Sequence, residues 1–456
     1  MLDRFRILLV LSLMAGSAHV QAADQKYSFG STPLPGYTHV SPEMNYTAER
    51  GYGFDLGSKV AASEAGFTTG VGGRPFFFST KLGPGAYQVT VTFGKSPAES
   101  VATIKSETRR LNLEAVRVPA GQSKSFTFLV HLRVPELPDG RVVRLKDREK
   151  LLDWLFIKWD KEAELTFYEL DWDEKLTLAF SDANPALVSV EITDAQKPTT
   201  VYLIGDSTVT DQMMEPWGAW GQQLPRFFKP PVLVANYAQS GETTASFIGE
   251  LRWEKLLSEI HAGDYVLMQF GINDRAMQDA QFKGYFVKYI DETRAKGATP
   301  VLVTSQNLRR LSPEGKGINT LGTKPDVMRE VAKEKDAAVI DLNEMSARLY
   351  EAIGATDLPK AFTDGTHQNA YGSYELAKCV TQGIIDLKLP IAQHVVEDWK
   401  AYDPSHPLPL AEFRLPEDPQ LDPYRPGGPW NTNDHPRPTS APPRGGRGPA
   451  TQPQAQ

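Results

Sequence analysis

The sequence predicts an α/β fold, a parallel sheet with helices on both faces, preceded by an antiparallel β-sandwich. Two patterns carry this. Up to about residue 195, apolar and polar side chains alternate between turn residues, the period of half-buried strands. Beyond Pro198 the apolar residues gather into short unbroken runs separated by segments of helical spacing, as in buried parallel strands joined by helical crossovers. The length of 456 residues, 41% hydrophobic and 23% charged, suits one or two large cores in a soluble chain.

The chain opens with Asp3, Arg4 and Arg6, an apolar run from Ile7 to Ala15, and small residues ending at Val20-Gln21-Ala22. A basic start, a short apolar centre and a small-x-small end predict a cleavable secretory signal over residues 1–22. The run falls short of the ~20 residues a spanning helix needs, so no membrane span is expected after cleavage. Removing those three charged residues makes the net charge one unit more negative than −7. That acidity argues against nucleic acid as a partner.

From 26 to 195 the β-sandwich reading rests on three segments. Tyr87, Val89, Val91 and Phe93 alternate with Gln88, Thr90 and Thr92 after a Gly83-Pro84-Gly85 turn; Phe126, Phe128 and Val130 alternate likewise, as do Leu176, Leu178 and Phe180. Leu151 to Phe156 fits a helix or a buried strand equally well. No Ser/His/Asp set of usable spacing occurs in this half, where His39 and His131 lack an obvious partner.

From 198 to 395 the buried runs are Thr200–Ile204, Val232–Ala235, Tyr265–Phe270, Val301–Thr304 and Ala338–Leu342. Phe282–Lys296, Met345–Ile353 and Tyr374–Leu387 have helical spacing between or after them. Five such strands predict a flavodoxin-like winding in three layers, with ligands beyond the carboxyl ends of the strands. The single cysteine, Cys379, rules out an internal disulfide and lies on an apolar helix stripe, as a buried small hydrophobe. After 396 prolines dominate, 14 of 34 falling beyond residue 400, so residues 396–456 read as a largely disordered tail, whose first part Trp399, Phe413 and Trp430 could lay along the surface.

Four short segments hold the chemistry. Gly205-Asp206-Ser207 follows the first parallel strand, in a turn that exposes the hydroxyl and points the backbone N–H outward. A serine hydroxyl needs a base, and His367 offers one. Three residues before it, Asp364 can receive the imidazole N–H and fix its tautomer. The backbone N–H groups of Ser207 and Gly241 and the side-chain amide of Asn273 are candidate oxyanion donors. Each segment has a plainer reading as cap or turn; Asp274 is read as structural. No third and fourth ligand accompanies Asp364 and His367, so no metal is expected. Trp217, Trp220, Trp253 and Tyr371 flank these segments as core or as sugar-stacking platforms.

The set Gly205-Asp206-Ser207-Thr208, Gly241, Gly271-x-Asn273-Asp274 and Asp364-x-x-His367 resembles the SGNH (GDSL-type) hydrolases. Ser246 to Trp253, Gln269-Phe270-Gly271 and Asp364 to Asn369 resemble the rhamnogalacturonan acetylesterases among them. The resemblance covers roughly Thr200 to Leu389. It implies Ser207 as nucleophile, His367 as base, Asp364 as its partner, Gly241 and Asn273 in the oxyanion hole, and no cofactor. The front half is similar to the galactose-binding-like sandwiches found ahead of some of these esterases. Two positions depart from the pattern: Ile272 replaces a common histidine, and Glu242 stands where the acetylesterases tend to have arginine.

The expectation is an exported serine esterase that removes acetyl groups from a pectic or related polysaccharide or oligosaccharide. Its alcohol side would open beside Trp217, Glu242 and Trp253. A lipid or aryl esterase, an O-acyltransferase of the same fold, and a carbohydrate-binding protein with an inactive hydrolase domain stay open. The sequence does not decide the sugar, the acetylated position or the oligomeric state.

Overall fold

The computed structural model describes residues 24–145 and 170–418. The predicted signal, the ambiguous Leu151–Phe156 and the tail beyond 418 lie outside the described residues.

The β-rich domain consists of β1 (Gln25–Ser28), β2 (Thr38–His39), β3 (Tyr52–Asp55), β4 (Val60–Ser63), β5 (Phe67–Gly70), β6 (Phe76–Lys81), β7 (Gly85–Gly94), β8 (Ser100–Ser106), β9 (Arg110–Val118), β10 (Ser123–Leu132), β11 (Lys175–Ser181) and β12 (Leu187–Asp194). One sheet runs β10-β7-β12-β1-β2, with β5 joined to β12 and β4 to β5; the other runs β3-β6-β11-β8-β9. All ladders are antiparallel except β1 with β2. The alternation read from β7 decides its faces. Tyr87, Val89, Val91 and Phe93 are buried and Gln88 is exposed. Their neighbours on β10 follow the same register, Phe128 opposite Val89 and Val130 opposite Tyr87. Phe29, Phe54, Phe76, Phe78 and Phe180 complete the core, each buried ring contributing about 1.5–3 kcal/mol.

The α/β domain follows with β13 (Thr199–Gly205), α1 (Trp220–Gln223), β14 (Val232–Asn236), α2 (Thr244–Gly249), α3 (Arg252–Glu259), β15 (Tyr265–Gln269), α4 (Asp279–Ala295), β16 (Thr299–Val303), α5 (Lys324–Glu334), β17 (Ala338–Ile340), α6 (Leu342–Asp357) and α7 (Ala370–Asp386). The sheet order is β14-β13-β15-β16-β17, and every ladder is parallel. Successive strand residues face opposite ways. Val201, Leu203 and Leu267 therefore enter one core with Trp220, Leu349 and Cys379, while Tyr202, Ile204 and Met268 enter another with Trp253, Phe286 and Tyr289. Because the strands are parallel, their carboxyl ends share one rim. The turns carrying Ser207, Gly241 and Asn273 leave from it. No helix among the described residues is long and apolar enough to cross a membrane.

The two domains meet through polar groups. Lys105, Arg109, Arg110 and Arg133 from the β-rich domain are all buried, as are Asp211, Glu215 and Asp418, which face them.

The first part of the expected tail is docked, with Trp399 and Phe413 among its anchors, so the boundary at 396 lies too early. Residues 396–418 lie against the α/β core, with Trp399, Leu410, Phe413 and Leu415 packed on it and Tyr402 buried. The Tyr402 hydroxyl donates to Glu375 Oε2 at 2.7 Å, Tyr371 donates to Leu408 O at 2.8 Å, and Lys105 Nζ lies 2.6 Å from Asp418 Oδ2. Proline content lowers the cost of fixing this extended strap, and a few aromatic anchors suffice to hold it.

Candidate active site

The first turn is set by close packing. A side chain on Gly205 would meet Val209 Cγ2 at 2.6 Å and Gln269 O at 2.7 Å, so only glycine lets β13 pass so near β15. Asp206 is fully buried, and its Oδ1 accepts from Thr208 N at 2.9 Å and Thr208 Oγ1 at 2.7 Å. Gln269 Nε2 donates to Thr208 Oγ1 at 2.8 Å and its Oε1 accepts from Trp220 Nε1 at 2.8 Å. This series fixes the turn on which Ser207 sits. Burial pushes the Asp206 carboxyl up to about 6, against the Thr208 hydrogen bonds.

The loop before α7 brings up His367. Asp364 Oδ1 accepts from the backbone N–H groups of Thr366 and His367, both at 2.7 Å. Its Oδ2 lies 2.8 Å from His367 Nδ1, and His367 Nε2 lies 2.8 Å from Ser207 Oγ. With Nδ1–H donating to the carboxylate, Nε2 is left as acceptor for the serine hydroxyl. Burial alone would raise the Asp364 carboxyl, but the hydrogen bonds and charge of His367 outweigh it and bring it down to about 2. Asn369 closes the loop by accepting from Gly372 N at the start of α7. A serine so placed can lose its proton to the imidazole as it attacks a carbonyl.

Asn273 Nδ2 donates to Glu242 O at 2.9 Å, which ties its amide to the residue after Gly241. Gly241 adopts φ of 77°, a conformation open to glycine with little strain. Asp274 caps α2, its Oδ1 accepting from Thr244 N at 2.9 Å and Thr244 Oγ1 at 2.7 Å. Asn273 is therefore tied to the residue after Gly241, and the next residue, Asp274, to the start of α2. Among the described residues no group of three His, Cys, Asp or Glu side chains is placed to hold a metal.

The rim expected from the sequence is different in detail. Trp217, Trp220, Trp253 and Tyr371 are all buried and none is a platform. Trp253 stacks edge-on against Tyr289 and donates to Glu292, while Tyr371 packs on Phe413. Large rings beside a sheet gain more by joining its cores than by facing water. Glu242 is also turned inward: Ser246 Oγ donates to it at 2.5 Å, and Arg252 Nε stands 3.8 Å away. Arg309, missed by sequence reasoning, lies at the base loop, its N–H donating to Gly365 O at 3.0 Å and its guanidinium acted on by Asp364. Asp211 and Gln212 were missed too. Gln212 Nε2 donates to Ser207 O at 2.5 Å, and Asp211 Oδ1 accepts from Asn236 Nδ2 at 2.9 Å. Only their place four and five residues after the serine hinted at them.

Residues 203–373 match the GDSL-like Lipase/Acylhydrolase family. The rhamnogalacturonan acetylesterase RhgT of Bacillus subtilis is 38% identical over 222 residues, covering 44% of this chain and 96% of that protein. The probable rhamnogalacturonan acetylesterase YesY of the same organism is 30% identical over 219 residues, 43% of this chain and 98% of that one. The uncharacterized esterase YxiM, also of Bacillus subtilis, is 27% identical over 402 residues, 82% of this chain and 95% of that one. The chain thus belongs to the GDSL-like lipase/acylhydrolase family and is a serine esterase.

Proposed function

We propose that this chain is an exported carbohydrate esterase that removes acetyl groups from a pectic, rhamnogalacturonan-like or related polysaccharide. One observation carries the chemistry, the unbroken hydrogen-bonded series from Asp364 through His367 to Ser207. In this reading Ser207 Oγ attacks the ester carbonyl as His367 Nε2 takes its proton. Asp364 holds the imidazole in place and stabilises the imidazolium. The N–H groups of Ser207 and Gly241 and the amide of Asn273 receive the oxyanion. When the tetrahedral species collapses, the bond to the sugar oxygen breaks. His367 hands the proton to that oxygen and the acetyl group stays on Ser207. A water molecule then gives a proton to His367 and attacks the acetyl carbonyl; as the bond to Ser207 Oγ breaks, His367 returns that proton to Oγ and acetate leaves.

The substrate side draws on the names of the Bacillus relatives. The division of labour belongs to the same proposal: a signal over 1–22, an assisting galactose-binding-like sandwich over 26–195 and a flavodoxin-like hydrolase domain over 198–395. The test is acetate release from a panel of acetylated pectic and other plant glycans, beside aryl acetate, butyrate and octanoate. Acetate from a pectic glycan, and acetyl hydrolysed faster than octanoyl, are expected. Ser207→Ala should fall by ~10⁶. Faster octanoate turnover would favour a lipid esterase, and acetyl transfer to a sugar hydroxyl an acyltransferase. Glycan binding without any hydrolysis would leave a carbohydrate-binding protein.

A further inference from the structure

The turn between β8 and β9 of the β-rich domain reaches into the α/β domain directly behind the serine. Its backbone is unusual, with Glu107 at φ of 52° and Arg109 at φ of 62°, a left-handed region that non-glycine residues occupy only when surroundings hold them there. Glu107 supplies part of that hold by exchanging hydrogen bonds with Thr177 on β11. The strained turn aims two buried arginines at one segment, residues 211–218.

Arg109 Nη1 donates to Gln212 O at 3.1 Å and to Trp217 O at 2.8 Å, and Nη2 meets Glu215 Oε2 at 2.7 Å. One guanidinium thus clasps both ends and the middle of the segment. The segment in turn touches both halves of the site. Gln212 Nε2 donates to the carbonyl of Ser207. Thr363 Oγ1 donates to Pro216 O at 3.2 Å, and Gly218 N donates to Gln368 O at 2.9 Å, so the base loop leans on the same segment. Arg110 acts one bond further away. Its Nε meets Asp211 Oδ2 at 2.6 Å. Asp211 receives Asn236 Nδ2, and Asn236 Oδ1 accepts from Ala238 N at 3.2 Å, on the path to Gly241.

We propose that Arg109, supported by Arg110, is a positioning residue of the esterase site, through which the β-rich domain sets the spacing of Ser207 and His367. This rests on the reading of Ser207 and His367 as nucleophile and base. Segment 211–218 has no helix or strand of its own long enough to fix it. Without the clasp, its carbonyls would relax and the serine turn and base loop would lose a shared support. The distance between Oγ and Nε2 would then vary, which lowers turnover without changing what the substrate touches.

The experiment compares Arg109→Lys and Arg109→Met with wild type in the full chain. Lysine keeps the charge opposite Glu215 but cannot span three acceptors. For aryl acetate, kcat should fall by roughly 10–100-fold with KM nearly unchanged, the scale of a misplacement of about 1 Å. Inactivation by phenylmethylsulfonyl fluoride, which reads the serine–histidine pair without the sugar site, should slow in proportion. Val91→Ala, which empties volume in the β-rich core away from the turn, provides a control for stability. It should lower the melting point yet keep kcat at temperatures where it is folded. If Arg109→Met fails to fold, Arg109→Lys carries the test. The inference is overturned if folded Arg109 variants keep kcat within twofold, or if Val91→Ala loses as much. Retained activity in Ser207→Ala would remove the nucleophile reading itself. An inactive Ser207→Ala beside fully active Arg109 variants would remove the positioning role alone.

Discussion

Asp418→Asn tests the polar joint between the domains. Lys105 Nζ lies 2.6 Å from Asp418 Oδ2 and 2.7 Å from Pro416 O, and the two side chains are 3% and 0% exposed. Arg109 Nε is 3.8 Å from the same Asp418 oxygen, while Arg109 meets Glu215 at 2.7 Å. Two cations therefore face two anions where water scarcely reaches. Asparagine has nearly the same shape and keeps one acceptor but deletes one charge, leaving a net positive joint. Removing one partner of a buried pair costs about 3–5 kcal/mol, most of it the uncompensated charge. The retained acceptor places the expectation at the lower end, about 3 kcal/mol. At roughly 2–4 °C per kcal/mol for a unit of about 150–250 residues, the size of either domain, the melting midpoint should fall by roughly 6–12 °C. The assay is thermal unfolding of purified wild type and variant at neutral pH, with the double variant Lys105→Met/Asp418→Leu beside them. Replacing both charges should recover most of the loss, because a well-packed apolar pair of similar volume is often no worse than an ion pair. A midpoint within 2 °C of wild type for Asp418→Asn would refute the reasoning, and so would a double variant worse than the single.

Asp364→Asn should leave the fold intact and lower kcat by ~10⁴, since the amide can stabilise the wrong imidazole tautomer; steady-state kinetics beside a melting curve checks both parts. Asn273→Ala should lower kcat by ~10²–10³ with KM nearly unchanged, because its amide is assigned to the developing oxyanion; a pure KM effect would remove it from that role. The Asp206 carboxyl, raised by burial from its ordinary 3.8 to about 6, binds its proton more tightly in the folded state. Its stabilising contribution is complete below about pH 4 and is lost as pH rises through 6, by at most about 3 kcal/mol. Asp206→Asn should flatten the stability profile between pH 4 and 6, and identical slopes in both proteins would count against this.

Local chemistry was legible, and contacts closed over long distances were not. Asp364 and His367 are three residues apart, so their pairing follows from one turn of chain. Ser207 is 160 residues from His367, yet each lies in a short motif that can be read alone. The parallel strands were legible because burial on both faces leaves unbroken apolar runs, and Cys379 because its helix stripe is apolar. Arg109 and Arg110 offered no such signal. Their partners lie about a hundred residues away, and adjacent arginines between strands look like a solvated turn. The tryptophans misled for a related reason, since ring chemistry suits sugar and core alike, and only the neighbouring layer decides. Proline content likewise reports the absence of helix and strand in 396–418 but not whether the extended chain is docked.

The strap that carries Asp418 sets a constraint on the order of events during synthesis. Lys105 is made early, and the carboxylate it meets is 313 residues downstream. Each domain can gather its own core as it leaves the ribosome. Arg109 and Arg110 can meet Glu215 and Asp211 as soon as the α/β domain is made, but Lys105 gains its carboxylate only when the strap arrives. Closing a loop this long is entropically unfavourable only once and grows slowly with length, but it must come last. The two halves should therefore acquire secondary structure well before the full chain resists protease, with resistance arriving only after the strap is in place.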